Sequence, residues 1–511
     1  MIKKEGLMVN TFISTLGSVT TRLVGMCTII YISNQIGAEG VGLYQLAMTI
    51  YMMAYMVASA GIITSISKLV SEEISQGWIL RAKKIMNTFL IFGFIISLVI
   101  TGIIYVKALD ISILIVKDTR IVEGLKILAL SIPFMTLSAC FKGYFYGTKD
   151  IAKPASAEVL EQFIKFGLTI MLLTIFGTRD LTLACMGISL AITLGEILSF
   201  LYLGFLYMAN RITSTQNRAT GVPEGKLLYK ICSVLFPITA SSYLTAVFVL
   251  LENTLIPNGL QAYGLSNVES VSIYGMIKGM VFPLLLFPTA LLSACSTILT
   301  PEISKASVLK YKGRVESLAS RVLHLTLVIA FFIVSIFAIY GYELGISIYN
   351  NANVGKFLQM LVFMSPFMYI EIVIDGILKG LGEQKKCLEY RVIDAVFRIV
   401  LMYLLIPKIG ANGLLITIIL SNIISAILHI NRLIEITNIR VDIIKWLIHP
   451  IICAAAVGLV TKSFITDILL NNISLKINLP FSIFFAASFY LVALFSLGNI
   501  TAEELSLRNS N

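Results

Sequence analysis

The chain has 511 residues, a formal charge of +11 and an apolar composition, with 57% hydrophobic and only 13% charged residues. Soluble domains contain about a quarter charged residues, so this composition excludes a water-soluble fold. Apolar runs of about 20 residues recur along the chain, and the short alternating segments of a transmembrane barrel are absent. The sequence therefore predicts an all-α polytopic membrane protein. The positive charge is explained by cytoplasmic loops of such a protein, and it does not indicate nucleic acid binding.

Fourteen apolar spans are predicted, in two lobes of six followed by two further spans. In chain order the spans are 7–33, 41–67, 85–106, 124–147, 154–176, 181–208, 227–251, 271–300, 322–341, 357–381, 388–407, 413–431, 443–461 and 479–497. The predicted regions are an N-lobe over 1–210, a linker over 211–226, a C-lobe over 227–438, appended helices over 439–498 and a polar tail over 499–511.

The distribution of basic residues predicts the orientation of these spans. Lys3 and Lys4 precede the first span, which has no small-x-small cleavage site at its end, so we expect an uncleaved helix. Loops on the side of the N-terminus carry about 25 Lys and Arg residues, and those on the other side about 8. This bias predicts a protein of the cytoplasmic membrane with both termini inside.

One stretch of the N-lobe is repeated in the C-lobe at a constant offset of 233 residues, and the stretch covers Ile132–Leu173. Prolines, small-xxx-small glycine pairs and charge pairs keep register between the two copies. The matched residues are Pro133, Gly143, Gly147, Glu161 and Lys165 in the first copy and Pro366, Gly376, Gly380, Asp394 and Arg398 in the second. Six spans per lobe make the repeats parallel, which predicts a pseudo-twofold axis along the membrane normal with a cavity between the lobes.

Two basic residues inside the spans are candidates for binding a substrate, because a charge facing lipid is costly and normally faces a cavity or a partner. Arg22 lies in span 1 and Lys278 in span 8, and neither has an acidic residue within one helical turn. One cation from each lobe would suit an anionic ligand held between the lobes. Alternatively, each pairs with a remote carboxylate or extends to the headgroups.

The repeated charge pairs are interpreted differently. Glu161 and Lys165 in span 5, and Asp394 and Arg398 in span 11, are spaced four residues apart and can neutralise each other on one helix face. A structural role is favoured over substrate contact. The glycine pairs are expected to let helices approach closely.

Three acidic residues within or at the ends of the spans are not explained by helical spacing. In span 10, Lys379 can pair with Asp375, which leaves Glu371 as the odd acid. Glu196 in span 6 has no basic residue nearby along the chain, and Glu252 lies at the outer end of span 7. These acids are candidates for a cavity or for ion coupling. Protonation and pairing across helices remain equally open.

Catalytic and metal-binding patterns are not found. The three histidines, His324, His429 and His449, lack metal-ligand spacing, and the seven cysteines show no Cys-x-x-Cys pattern. There is no Walker-type phosphate loop. We therefore expect no enzymatic activity, no cofactor and no metal. Pro283 and Pro288 in span 8 make that span a predicted bending element.

Several motifs in the N-lobe resemble a known group of transporters. They are Thr21–Gly25 with the sequence TRLVG, Ile36–Tyr44, Gly61–Lys68, Lys142–Gly147, Lys149–Pro154 and Val159–Gln162. Their order and spacing resemble polysaccharide-type flippases, in the stage V sporulation protein B-like branch of the multidrug/oligosaccharidyl-lipid/polysaccharide exporter superfamily. The resemblance covers nearly the whole chain.

This resemblance implies two six-helix lobes that alternate between inward-open and outward-open states. It also implies that the cargo is a lipid-linked oligosaccharide or peptidoglycan precursor on an undecaprenyl pyrophosphate-type carrier. In relatives that flip the precursor, an arginine of an Arg-x-x-Gly motif lines the cavity, and Arg22 with Gly25 matches that motif. Those relatives carry further arginines where this chain has Thr28, so Lys278 is left to supply the second cation.

The implied partners are the lipid-linked glycan, the bilayer and cell-wall synthesis enzymes, and the implied assembly is a monomer. A role in spore cortex or other envelope synthesis follows from the same resemblance. The alternative is a cation-coupled antiporter of small molecules. Such an exporter usually needs an acid deep in span 1 or span 7, where this chain has none.

Overall fold

The computed structural model describes residues 4–177, 180–209, 224–437, 439, 442–463 and 475–499, and these contain helices and short connections but no strand. The all-α prediction is therefore confirmed. Most of the predicted linker 211–226 and tail 499–511 lies outside these residues. The α-helices of the described part are α1 (Lys4–Ser59), α2 (Ile62–Ser75), α3 (Ile79–Ile111), α4 (Val122–Ala129), α5 (Ile132–Gly147), α6 (Ala152–Phe176), α7 (Leu181–Ala209), α8 (Glu224–Ala262), α9 (Asn267–Tyr274), α10 (Phe282–Leu286), α11 (Thr289–Val308), α12 (Lys312–Tyr349), α13 (Ala352–Leu361), α14 (Ser365–Gly380), α15 (Gln384–Thr437), α16 (His449–Val460) and α17 (Leu475–Ser496).

In the described residues, ten helices are long and apolar enough to cross a membrane, or eleven when the bent pair Thr119–Ala129 and Ile132–Gly147 counts as one span. Two of them are too long for one crossing and are broken inside. Helix α1 breaks at Gly37, where φ is 68°, and α15 breaks at Gly410, where φ is 59°. Glycine adopts positive φ without steric penalty, so both breaks fall where the sequence permits them. Each break separates two predicted spans.

The eighth predicted span is divided into several segments. A π-helical segment, Gly275–Val281, follows α9, and Pro283 and Pro288 then lie in the first turn of α10 and immediately before α11. Proline lacks an N–H and clashes with the preceding turn, which explains why the helix is interrupted here. The predicted bending element therefore coincides with a discontinuous helix.

By its contacts the chain forms two compact units, Met1–Gly275 and Met276–Asn511. The repeated stretch has the same local structure in both. Helices α5 and α14 each have 16 residues, carry proline in the first turn and end at a glycine. Their first and last residues are separated by the same offset of 233 that the sequence shows.

The paired glycines allow close backbone approach in each unit. In the first unit, a Cβ atom on Gly143 would lie 3.0 Å from the carbonyl oxygen of Ile63, and one on Gly147 would lie 2.9 Å from that of Ser67. Helix α5 therefore packs directly on α2. In the second unit, Gly380 has the same relation to Thr300, at 2.9 Å, so α14 packs on α11. Backbone contact at small residues is the usual way in which membrane helices associate closely.

Charged loops at one end of the first unit are joined by an ion-pair cluster. Arg120 contacts Asp118 at 2.7 Å and Glu39 at 2.6 Å, and the Asn267 amide donates to Asp118 at 3.0 Å. Burial alone would raise the pKa of Asp118, but the hydrogen bonds and charge of Arg120 outweigh it and lower the pKa below its usual range. Glu39 follows predicted span 1, Asp118 follows span 3 and Asn267 follows span 7, so these three connections lie together. This is expected when successive helices run in opposite directions, because every second connection is then at the same end.

Candidate functional site

A group of five charged side chains lies inside the first unit, on α5, α6 and α7. Lys165 contacts two carboxylates, Glu161 at 2.7 Å and Glu196 at 2.6 Å. Lys142 contacts Glu158 at 3.1 Å. These helices are otherwise mostly apolar, so the buried charged groups depend on one another for stabilisation. We call these five residues the N-unit charge cluster.

Burial increases towards the centre of this cluster. The side chain of Glu196 is 4% exposed, and those of Glu161 and Lys165 are 11% and 14% exposed. Glu158 is 38% exposed and marks the open side. The Lys165 ammonium replaces the water that two buried carboxylates would otherwise require. Removing it would leave two like charges close together in a poorly solvated place.

A cavity of about 250 Å³ adjoins the cluster. Its wall combines polar and apolar side chains from α1, α2, α5, α6 and α7. The lining residues are Tyr55, Ile63, Met135, Ser138, Ala139, Lys142, Tyr146, Glu158, Glu161 and Glu196. A polar cavity of this size has room for several water molecules. The cluster is therefore placed where water or a small cation can reach it.

The formal charges of the cluster do not balance. Three carboxylates face two ammonium groups, so a proton or a monovalent cation bound here would complete neutrality. Carboxylate oxygens are suitable ligands for hard cations such as these. The cluster therefore carries one formal negative charge more than its two ammonium groups neutralise.

Only part of this cluster could be identified from the sequence. Helical spacing offers no partner for Glu196, whereas the structure places it against Lys165, which lies 31 residues earlier on the neighbouring helix. The ion pair between Lys142 and Glu158 was also missed. Their separation of 16 residues spans the turn between α5 and α6. Spacing within one helix carries no signal for such a contact.

The other residues predicted in the first unit lie outside the cavity wall. Arg22 is on α1 and exposed, and Glu252 is on α8 and half-buried. Neither contributes to the cavity lining. Their assignment to a substrate or coupling site stays a prediction.

Lys278 belongs to the second unit. It lies in the π-helical segment, is half-buried, and places its ammonium 4.9 Å from the centre of the Phe282 ring. A cation over an aromatic face is stabilised by the ring quadrupole. The proposed cavity that Lys278 would share with Arg22 also stays a prediction.

The second unit contains an equivalent set of charges at the repeat offset. Asp394 and Arg398 contact each other at 2.6 Å, and Ser421 donates to Asp394 and accepts from Arg398. Glu371 lies within electrostatic range of this pair and of His429.

One ion pair of the second unit has the opposite polarity to its counterpart. Lys142 and Glu158 of the first unit correspond at the same offset to Asp375 and Arg391, which contact each other at 2.8 Å. The positions are kept, while the signs of the charges are exchanged. Lys379 also contacts Asp375, at 2.5 Å.

Comparison with known proteins identifies a family and several relatives of this chain. The profile of a family described as "Polysaccharide biosynthesis protein" matches residues 7–307. Stage V sporulation protein B of Bacillus subtilis (strain 168) is 24% identical over 508 residues, covering 98% of this chain and 97% of that protein. Lipid II flippase MurJ of the same organism is 24% identical over 442 residues, covering 80% of this chain and 78% of that protein.

A solved structure of similar fold is the inward-facing conformation of a multidrug resistance MATE family transporter of the MOP superfamily. It is 14% identical in sequence, has a TM-score of 0.65, and the alignment covers 82% of this chain and 95% of that one. At this identity the likeness concerns the fold.

Proposed function

Because the chain belongs to the polysaccharide biosynthesis protein family, we propose that it moves a lipid-linked saccharide across the cytoplasmic membrane by alternating access. The cargo is an oligosaccharide or peptidoglycan precursor on an undecaprenyl pyrophosphate-type carrier, used for spore cortex or other envelope synthesis. The similarity to a protein named as a lipid II flippase supports this cargo class. The protein acts as a monomer with both termini cytoplasmic and supplies cell-wall synthesis enzymes on the outer side.

The N-unit charge cluster beside its cavity is the observation that carries the transport proposal. Ionisable residues within membrane-spanning helices are costly, and they mark the pathways of substrates and coupling ions. Four of the five charged residues, all except Lys165, line a polar cavity of about 250 Å³ that has room for water. A merely structural ion pair would need no such space.

The cargo itself requires positive charge, since a diphosphate is an anion in any leaflet. Arg22 and Lys278 supply that charge in the proposal, one from each lobe. Arginine can bind phosphate oxygens through two parallel hydrogen bonds, and lysine acts as a point charge. The polyprenyl tail stays in the lipid, so only the headgroup needs a hydrated path.

The N-unit charge cluster supplies the energy coupling in this mechanism. Protonation or cation binding at Glu196 and its neighbours changes the charge that the unit carries within the membrane. The ion available on one side of the membrane then favours the state in which the cavity opens to that side. Glu252 and Glu371 are the other candidates for this role.

Flipping of a fluorescent undecaprenyl pyrophosphate-linked saccharide in proteoliposomes tests the proposal. Arg22→Ala and Lys278→Ala should each slow flipping at least tenfold, and Arg22→Lys should restore part of the rate. Lys107→Ala is the matched control, because its side chain is 61% exposed and pairs with Asp110 on the surface. Unchanged flipping in both variants rules out the cationic site, and wild-type protein without flipping activity rules out the cargo.

Cation-coupled export of small molecules is the second candidate. It is favoured by the excess of carboxylates in the cluster and by the fold shared with a multidrug transporter. Dye uptake into the same proteoliposomes, driven by a proton or sodium gradient, distinguishes it. Dye transport that is lost in Glu196→Gln, together with no flipping of the lipid, would replace the first proposal with this one.

A further inference from the structure

Three side chains of metal-binding type converge in the second unit, away from the N-unit charge cluster. They are Asp375 of α14 and Cys387 and His429 of α15, which lie on opposite sides of the break at Gly410. One oxygen, the sulfur and one ring nitrogen lie within 4.8 Å of one another. Asp375 and His429 lie in predicted spans 10 and 12, and Cys387 lies in the connection just before span 11, so their spacing along the chain gave no sign of this cluster.

His429 has an unused lone pair on its ring. Its side chain is completely buried, and its Nδ1 lies 2.8 Å from the carbonyl oxygen of Ser425. A carbonyl oxygen only accepts, so Nδ1 carries the proton and Nε2 has the free lone pair in the neutral ring. Nε2 has no hydrogen-bond partner among the described residues. This is the arrangement by which proteins orient a histidine for a metal, with the second nitrogen donating to a backbone carbonyl.

Asp375 presents an unused acceptor as well. Its Oδ2 receives hydrogen bonds from Lys379 at 2.5 Å and Arg391 at 2.8 Å, while the buried Oδ1 accepts from no N–H or O–H group in the described part of the chain, and the neighbouring donor is the Cys387 thiol. Lys379 and Arg391 are 41% and 53% exposed, so water screens their charges. Two buried acceptors that face each other are unfavourable unless a cation or a shared proton lies between them.

Cys387 completes the set. It is 1% exposed, and a thiol carries one proton, which can satisfy only one of the two neighbouring acceptors. As a thiolate it would instead be a strong metal ligand. Sulfur and imidazole ligands select zinc and similar transition metals over sodium, magnesium or calcium, which prefer oxygen.

We propose that Asp375, Cys387 and His429 bind one transition-metal ion of the zinc class, with Cys387 as the thiolate. The carboxylate and thiolate neutralise the divalent charge, and the neutral imidazole supplies the third bond. Bond lengths of about 2.0–2.3 Å require the three ligand atoms to draw slightly closer than they now lie, which side-chain rotation provides. A water molecule would occupy the fourth position of a tetrahedral site.

This site links α14 with both halves of α15, because Cys387 precedes the break at Gly410 and His429 follows it. Its role is therefore to fix these helices relative to one another within the unit. Tyr390 packs its ring against the His429 ring, 5.3 Å between centres, and shields the imidazole on one side. The proposed metal site is independent of the cargo, and it is an alternative to the expectation of a chain without a metal.

Metal analysis of the purified full chain, in detergent and without an affinity tag, provides the first test. The protein is incubated with zinc chloride, passed through a desalting column, and its zinc content is measured. We expect about one zinc per chain in the wild type, and at least a fivefold reduction in Cys387→Ser and His429→Gln. Cys453→Ser and His324→Gln are matched controls, since both residues are buried in the same unit, and they should retain zinc. Equal zinc in the wild type and in His429→Gln would overturn the proposal.

Cobalt chloride provides a second test that needs no variant. A thiolate bound to cobalt gives an intense near-ultraviolet charge-transfer band, and a tetrahedral site gives strong visible bands. We expect both in the wild type, and their loss on adding one equivalent of zinc. Absence of the sulfur–cobalt band in monodisperse wild-type protein refutes the site even if every variant misfolds.

Discussion

Replacing Lys165 with methionine tests whether the N-unit charge cluster depends on its central cation. Lys165 contacts Glu161 at 2.7 Å and Glu196 at 2.6 Å. With an effective dielectric constant of about 20, each contact corresponds to about 6 kcal/mol of gross attraction, most of which is offset by desolvation. Removal of one partner of a buried pair typically destabilises by about 3–5 kcal/mol, since it leaves an uncompensated charge. We expect a loss in this range for Lys165→Met.

A rescue is predicted on the same physical grounds. The triple variant Lys165→Met, Glu161→Gln, Glu196→Gln removes the three most buried charges of the cluster together, and it should regain at least half of the lost stability because no carboxylate is left without its ammonium partner. Lys107→Met is the control, and it should leave the stability nearly unchanged because water screens its exposed pair with Asp110.

Equilibrium unfolding in mixed micelles, followed by far-ultraviolet circular dichroism, measures these differences. Two outcomes contradict the dependence of the cluster on Lys165. One is a Lys165→Met variant as stable as the wild type, and the other is a triple variant no more stable than the single one. In either case the cluster would be solvated well enough to leave carboxylates unpaired.

Two further predictions concern the frame around the cluster. Gly147→Val should destabilise the protein by about 1–3 kcal/mol, because its Cβ would press on the Ser67 carbonyl. Gly167→Val is the control, since no atom lies within 4 Å of its Cβ, and it should be tolerated in the same unfolding measurement. Asp118→Asn should destabilise by about 2 kcal/mol near neutral pH, because the Asp118 carboxylate loses its charge-assisted bonds to Arg120. The pKa of Asp118 is lowered on folding, so its contribution is present above the unfolded value near 3.9 and disappears as pH falls through the folded pKa. Thermal midpoints of variant and wild type should therefore converge in acid, and a difference that persists there would contradict the assignment.

The positions of the helices could be predicted from the sequence because apolar runs and breaking residues act locally. Gly37 and Gly410 show this, since each lies where one predicted span ends and the next begins. The close packing of α5 on α2 was likewise foreseeable from the spacing of Gly143 and Gly147. These features depend on one helix face at a time.

Contacts between helices could not be predicted in the same way. Glu196 of α7 contacts Lys165 of α6, and Asp375 of α14 lies beside Cys387 and His429 of α15. Which residues face each other depends on the rotation and axial offset of neighbouring helices, which a single sequence does not encode in its periodicity. The sequence therefore indicated which charges needed partners, while only the fold identified the partners.

The exchanged ion pair has a consequence for the history of the chain. If the two units arose by duplication, the pair Lys142–Glu158 and its counterpart Asp375–Arg391 descend from one ancestral pair. Exchanging the two charges takes at least two replacements. The first of them leaves either two like charges or a neutral residue beside a charge. The ancestral lineage must have crossed such an intermediate in one copy, and that is easiest while the other copy still performs the function. Redundancy after duplication would thus have allowed the two halves to differ in charge at equivalent positions while keeping the same local helical structure.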